Sequence, residues 1–260
     1  MGATVKRLLP ILALLCFSWP SQAAIAHDAD SNSGTGLSGS STTFTWSHTC
    51  TGSNMALVVG FYINWGNVSH RTITGITYNS VSLTPVQTID YTTDTAYLWL
   101  GYLKSPATGS NTIQVTISGT LGAANNAGGF ATSFTGVDQS SPVDSTGAQF
   151  SQGSATSISV NVTTANANAW IVDFMQSRLF GTNPTANSPQ VQNSGSPITI
   201  AASYHLGMSY NGPIATPAST SDGWAIGTTS SVSNLAAFSL KPAGAAAVNC
   251  TISLLGAGPC

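Results

Sequence analysis

The sequence predicts an all-β protein, a two-sheet antiparallel β-sandwich of jelly-roll-like topology with about eleven strands. Apolar and polar residues alternate with a period of two along several segments after residue 40, which is typical of half-buried strands. No window carries the apolar stripe of an amphipathic helix. Gly, Asn, Ser and Pro fill the intervening stretches, and the low charged fraction, 5%, argues against a coiled coil or a helical bundle.

The first 26 residues have the three-part pattern of a secretory signal peptide. Lys6 and Arg7 form a positive start, Leu8–Phe17 is apolar, and two small-x-small sites end at Ala23 and Ala26. The apolar run is shorter than the roughly 18–20 residues that span a bilayer, and no later segment reaches that length. The sequence therefore predicts a secreted or cell-surface protein with no membrane span.

Three further regions follow the predicted signal peptide. Residues 27–40 are polar and are expected to be loose or to form a short first strand, residues 41–243 form the sandwich, and residues 244–260 are an Ala/Gly-rich tail. In an oxidising compartment Cys250 could pair with Cys260 or with Cys50, and the spacing does not choose between them.

The predicted strands differ in how strictly they alternate. Residues 44–48, 111–118 and 156–163 alternate strictly, whereas 55–63 is continuously apolar, as in an inner strand covered on both faces. Residues 73–84 read as a hairpin that turns at Asn79-Ser80, because Asn tolerates the positive φ of a tight turn. The other expected strands are 97–103, 130–135, 169–176, 198–208, 224–229 and 235–240.

These strand sequences resemble a largely uncharacterised jelly-roll-like β-sandwich module of exported bacterial proteins. The resemblance covers about 43–243 in the right order, and it implies a sandwich fold and secretion without supplying a catalytic motif. The matching segments are 45–49, 57–60, 73–79, 98–106, 111–116, 134–142 and 236–243.

Composition and motifs argue against several classes of function. A formal net charge of -2 with six Lys and Arg leaves no basic face for nucleic acid. No G-x-S-x-G nucleophile elbow is present, the four His have no zinc-ligand spacing, and every acidic residue is Asp. A polysaccharide lyase is an alternative, with Arg178, Tyr204, His205 and His70-Arg71 as its candidate residues, although Tyr204 and His205 would point to opposite faces of a strand.

Two tryptophans are candidate ligand-binding residues because each lies at an expected turn beside polar side chains. Trp65 ends a predicted strand close to Asn67, and Trp224 follows Asp222. An exposed indole can stack on the apolar face of a sugar while Asn, Asp and Arg, including Arg178, bond its hydroxyls. The alternative is that each indole caps the end of the hydrophobic core.

A calcium site is the only cofactor that the sequence suggests. Asp28, Asp30 and Asn32 place oxygen ligands at alternate positions, as at the start of a calcium loop. The pattern then departs, because Ser33 stands at the sixth position and Gly39 at the twelfth. A solvated polar segment is the alternative.

The sequence favours a secreted, non-enzymatic module that binds carbohydrate or another extracellular surface, with a polysaccharide or cell-surface component as its partner. The second hypothesis is a structural or adhesive protein that self-associates through exposed strands, since few Lys residues guard the strand edges. The lyase is the third hypothesis.

Overall fold

The computed structural model describes residues 24–35, 37, 40–121, 126–145, 149–178, 183–200 and 203–244. Within these residues the chain is all-β, with seventeen strands in three antiparallel sheets and a turn of 3-10 helix at Thr92–Asp94. The strands are β1 (Ala26–Asn32), β2 (Thr43–Cys50), β3 (Ala56–Asn64), β4 (Ile73–Tyr78), β5 (Val81–Ser82), β6 (Thr84–Tyr91), β7 (Ala96–Lys104), β8 (Gly109–Ile117), β9 (Asn126–Thr135), β10 (Val143–Ser145), β11 (Gln149–Thr163), β12 (Ala169–Arg178), β13 (Thr185–Ala186), β14 (Val191–Gln192), β15 (Ile198–Ile200), β16 (Tyr204–Ile214) and β17 (Ser219–Leu240).

The three sheets have distinct strand orders. The outer sheet is β2-β8-β4-β5, and the central sheet is β1-β9-β3-β7-β6. The large sheet runs β10-β17-β12-β16-β14, with β11 and β13 paired to β17 and β15 paired to β16. The central sheet lies between the other two, since its strands contribute side chains to two separate hydrophobic clusters.

Strand β3 shows why two sheets cannot account for this core. All nine of its residues are buried. Leu57 and Phe61 pack with the outer sheet, whereas Val58 and Tyr62 pack with the large sheet. The prediction of an inner strand covered on both faces is confirmed, but the two-sheet arrangement is wrong, because covering both faces requires a third layer.

A glycine of β3 lets the central and large sheets pack closely at one point. A Cβ on Gly60 would lie 2.3 Å from Cγ of Phe174 on β12, a distance that real atoms do not adopt. The glycine therefore makes room for the phenyl ring, which is fully buried in the core between these two sheets.

The two longest strands form a ribbon that covers the other face of the large sheet. Strand β17 pairs with β11 along most of its length, and its second half also pairs with β12. Gly227, with φ of 79°, lies between the two halves of β17. Trp224 and Ile226 of the first half pack with Ile171 and Met175 of β12, which forms a third hydrophobic cluster.

The hairpin prediction is confirmed, whereas the strand count of about eleven is wrong. Tyr78 pairs with Val81 across the turn, and Asn79 and Ser80 both have positive φ. Segments 224–229 and 235–240, expected as two strands, both belong to β17, and several strands of only two or three residues raise the number to seventeen. Such short pairs carry no periodicity that a sequence pattern could reveal.

The polar N-terminal segment contributes a strand to the central sheet. Ala26–Asn32 is β1 and pairs with β9, and Ile25 immediately before it is only 4% exposed. Most of the predicted signal peptide and of the C-terminal tail, together with Cys250 and Cys260, lies outside the described residues. Across the parts of the chain that are described, no helix has the length and apolar character needed to cross a membrane.

Candidate functional site

Two of the predicted ligand-binding residues lie in the interior. Trp224 and Asp222 are both 0% exposed. The indole Nε1 of Trp224 donates to Asp173, at 3.1 Å from Oδ1 and 3.2 Å from Oδ2. Because the indole has no exposed face, Trp224 cannot stack on a sugar ring. The turn expected at this position is instead part of β17, which buries the side chain between the ribbon and the large sheet.

Of the other three candidates, Trp65 and Asn67 follow β3 of the central sheet, and Arg178 ends β12 of the large sheet. Trp65 follows β3, as expected, but is only 4% exposed and packs edge-on against His70, so it caps the core. Asn67 is exposed in the same turn. Arg178 Nη1 lies 3.3 Å from Oδ1 of Asp94, and its guanidinium sits 5.5 Å from the ring centroid of Tyr204.

The proposed calcium ligands belong to a strand, and their carboxylates are held by protein donors. Asp28 accepts hydrogen bonds from Ser133 Oγ and from the backbone and side chain of Thr51. Asp30 accepts from Asn193 Nδ2 and from the Ser194 backbone. The carboxylates of Asp28 and Asp30 are hydrogen-bonded to different parts of the protein. They do not converge on one point, as the ligands of a calcium loop must. Among the described residues, no group of three or more His, Cys, Asp or Glu could hold a metal ion.

Asn32, the third predicted calcium ligand, closes a turn at the end of β1. Its Oδ1 accepts a 2.9 Å hydrogen bond from the Gly34 backbone. This local contact accounts for the polar residue at the strand end without any ligand.

A buried histidine joins the outer and central sheets. His48 of β2 is 1% exposed, with Nδ1 at 2.8 Å from Ser31 Oγ and Nε2 at 3.1 Å from Ser133 Oγ. Ser133 Oγ in turn donates to Asp28 at 2.6 Å. Burial lowers the pKa of His48 to about 4, so the imidazole is neutral at physiological pH. Both ring nitrogens of His48 are hydrogen-bonded to serine hydroxyls of the central sheet. The side chain therefore links the outer sheet to the central sheet.

One pocket combines aromatic rings with hydroxyl groups, and we call it the aromatic pocket. It has a volume of about 280 Å³ and lies where β4 of the outer sheet faces β6 and β7 of the central sheet. Tyr97 is half-buried, and Trp99 is 4% exposed. The lining residues are Ile73, Thr74, Gly75, Ile76, Ser82, Leu83, Pro85, Thr88, Tyr97 and Trp99.

In a second pocket, the polar pocket, all the described lining residues have hydroxyl or amide side chains. It also measures about 280 Å³ and lies beside β4 and β8. The buried Tyr78 hydroxyl, 3.3 Å from Asn111 Nδ2, helps to orient that amide. The lining residues are Thr77, Asn79, Ser80, Ser110, Asn111, Thr112 and Gln114.

Sequence reasoning missed both pockets because it searched for tryptophans at turns. Tyr97 was expected to be an ordinary strand residue, and it is indeed the second residue of β7. No sequence signal shows that β6 and β7 leave a gap against the outer sheet, since that gap depends on how two sheets stack. The alternating hydroxyls of β8 were the only visible signal for the polar pocket.

Comparison of this chain with protein-family models, with characterised proteins and with solved structures found no match. The candidate site is therefore defined by geometry alone, as two uncharged pockets that flank β4.

Proposed function

We propose that this protein is a non-enzymatic module that binds a neutral carbohydrate in the aromatic pocket. The observation that carries the proposal is the half-buried Tyr97 ring in a pocket whose lining also includes the hydroxyls of Thr74, Ser82 and Thr88. A sugar ring has apolar C–H faces that stack on an aromatic ring and hydroxyls that pair with hydroxyl and amide groups.

The charge distribution supports a neutral ligand. None of the described residues that line either pocket carries a formal charge. An acidic sugar would need a cation to offset the desolvation of its carboxylate. Arg178, the cation that a lyase would require for a uronate, is paired with Asp94 and lines neither pocket. A neutral glycan is therefore the better match in chemistry.

The test is a binding assay of the purified chain on a panel of soluble and insoluble neutral polysaccharides. We expect Tyr97→Ala to weaken binding by about fivefold or more, because an aromatic stacking contact contributes about 1 kcal/mol beyond the buried area. Tyr97→Phe keeps the ring and should retain affinity. Gln114→Ala in the polar pocket is the matched control and should also bind normally.

The other outcomes each contradict part of the proposal. If Gln114→Ala abolishes binding while Tyr97→Ala does not, the polar pocket holds the glycan. If no polysaccharide of the panel is retained, the carbohydrate proposal is wrong. Circular dichroism of each variant establishes that a loss of binding does not reflect unfolding.

Self-association is the second candidate function, and the edge of the outer sheet favours it. Strand β2 forms a ladder only with β8, so within the described residues its other edge has no strand partner. Its outward side chains, including Thr45 and Ser47, are uncharged. An uncharged eight-residue edge is a template for pairing with another strand. Sedimentation should then reveal concentration-dependent assembly that Thr45→Lys suppresses and added glycan leaves unchanged.

Export to the cell surface or the medium belongs to this proposal. The signal-peptide pattern of residues 1–26 supports it, and a glycan-binding or adhesive module would act there. The jelly-roll relationship suggested by the sequence likewise stays a prediction. Fractionation of cells that express the full chain would test export directly.

A further inference from the structure

A serine, a glutamine and a buried carboxylate meet beneath the edge of the large sheet. Ser209 of β16 and Asp173 of β12 are 0% exposed, and Gln190, just before β14, is half-buried. Ser209 Oγ donates to Asp173 Oδ2 at 2.7 Å, and Gln190 Nε2 lies 2.8 Å from the same Oδ2. Gln190 Nε2 is also 2.7 Å from Ser209 Oγ.

The side-chain carbonyl oxygen of Gln190 has a hydrogen-bond donor of its own. The backbone N–H of Gly223 donates to Gln190 Oε1 at 2.8 Å. Because an amide C–N bond is about 1.33 Å long, the Gln190 carbonyl carbon lies within about 4 Å of Ser209 Oγ. The site thus contains a hydroxyl nucleophile, a carboxylate base, an electrophilic carbonyl and a donor to its oxygen, which are the components of acyl transfer.

We propose that Ser209 and Gln190 form an intramolecular ester cross-link with release of ammonia. Ser209 Oγ attacks Cδ of Gln190 as its proton passes to Asp173, and the Gly223 N–H stabilises the negative charge that develops on Oε1. The Cδ–Nε2 bond then breaks, Asp173 returns the proton to Nε2, and ammonia leaves. The Oγ–Cδ bond replaces the Cδ–Nε2 bond, and the carboxylate is regenerated.

The surroundings suit this reaction. Asp173 is positioned by the Ser209 backbone N–H at 3.1 Å and by the indole N–H of Trp224. Ser209 and Asp173 are fully buried, which limits the access of water to the nucleophile and the base. Attack requires the amide of Gln190 to rotate so that Oγ approaches out of the amide plane, and Gln190 has room to do so because it is half-buried at a sheet edge.

The exchange of an amide for an ester needs a driving force, and the geometry supplies it. Holding the two groups in contact removes the entropic cost of bringing them together. The ammonia is lost to dilute solution and is protonated there, so the reverse reaction becomes negligible. Only groups of this chain take part, and no oxidant or cofactor is required.

The cross-link would secure an otherwise weak edge of the large sheet. Strand β14 has two residues, and its one ladder within the described part of the chain is with β16. An ester between Gln190 and Ser209 fastens the start of that strand covalently to its neighbour. Such a bond would protect an exported protein against local opening and proteolysis at this edge.

Mass spectrometry of the purified, folded chain tests the proposal. We expect an intact mass about 17 Da below the value that the sequence of the purified species dictates, the mass of the ammonia that leaves. Proteolysis should release one species that joins the peptides containing residues 190 and 209. Hydroxylamine at neutral pH, applied to the isolated joined species, should separate the two peptides, because it cleaves an ester under conditions in which peptide bonds survive.

Matched variants locate the bond. Ser209→Ala and Gln190→Met should both abolish the mass deficit, and Gln190→Met replaces a half-buried side chain with one of similar size, so folding is retained. Ser239→Ala is the control, since Ser239 is also buried and contacts a carboxylate, Asp144 Oδ2, at 3.3 Å, and it should keep the deficit. Wild-type protein at its full sequence mass, or a link that survives hydroxylamine, would overturn the proposal.

Discussion

Asp222→Asn is expected to stabilise the protein increasingly as the pH rises. Asp222 is fully buried, and neither of its carboxylate oxygens has a hydrogen-bond donor among the described residues. Burial and the neighbouring Asp173 carboxylate raise the pKa of Asp222 well above its usual value near 3.8. Burial also raises the pKa of Asp173 to about 6. Because the Asp173 carboxylate disfavours a second negative charge beside it, the pair is expected to keep its last proton on Asp222.

The magnitude follows from proton linkage. A carboxyl whose pKa is raised on folding contributes full stability below the unfolded pKa of 3.8, and that stability is lost as the pH rises towards the folded pKa. While Asp222 is protonated in the folded state and ionised in the unfolded state, the free energy of unfolding falls by about 1.4 kcal/mol per pH unit. The Asp222→Asn substitution removes this dependence, so the variant should gain on the wild type by on the order of 1 kcal/mol for each pH unit above 3.8 over which the folded carboxyl keeps its proton.

Urea unfolding of both proteins across this pH range measures the difference directly. Asp90→Asn, at an exposed position, controls for the loss of one negative charge. Parallel curves for wild type and Asp222→Asn would refute the reasoning, because they would mean that Asp222 releases no proton on unfolding. A difference that grows with pH in both variants would assign the effect to net charge instead of to the buried pair.

Two further predictions concern other parts of the fold. Because burial lowers the pKa of His48 to about 4, its contribution is present above the unfolded pKa of 6.5 and is lost as the pH falls towards 4. His48→Gln should therefore reduce, by up to about 3 kcal/mol, the loss in the free energy of unfolding between pH 6.5 and pH 4, measured by urea titration. The same loss in the variant and the wild type would contradict this. If the protein is exported, N-terminal sequencing should find Ala24 as the first residue, because cleavage after Ala26 would remove Ile25 from the core; a mature chain that begins at His27 would contradict the prediction.

The sequence-based predictions were correct where the residues of a segment depend directly on how that segment is buried or turned. The continuous apolar character of β3 predicted burial on both faces, and the Asn79-Ser80 turn was visible because the residues of a tight turn must tolerate positive φ. The prediction failed at Trp224, where Ser221-Asp222-Gly223 suggested a turn but the backbone continues in β17. Turn-forming residues inside a strand are accepted when packing of the following indole outweighs local preference.

The candidate sites were the least accessible to sequence reasoning. In the sequence, the spacing of Asp28, Asp30 and Asn32 resembles that of calcium ligands. In the structure, the carboxylates of the two Asp residues accept hydrogen bonds from the turn after β2, from β9 and from the turn after β14. Ser209, Gln190 and Asp173 carry no motif, and their spacings become meaningful only once three segments of the chain meet. Contacts between distant segments leave no periodic signal in a single sequence.

The sequence by itself determined the all-β class, the covered inner strand and the tight hairpin, because each depends on residue preferences within a few positions of the chain. Only the tertiary structure decided that there are three sheets, that Trp224 is interior and that a pocket forms around Tyr97. The physical reason is that stacking depends on the shapes of whole surfaces. A side chain that would be exposed on a single sheet is buried or left in a cleft by the sheet that packs against it.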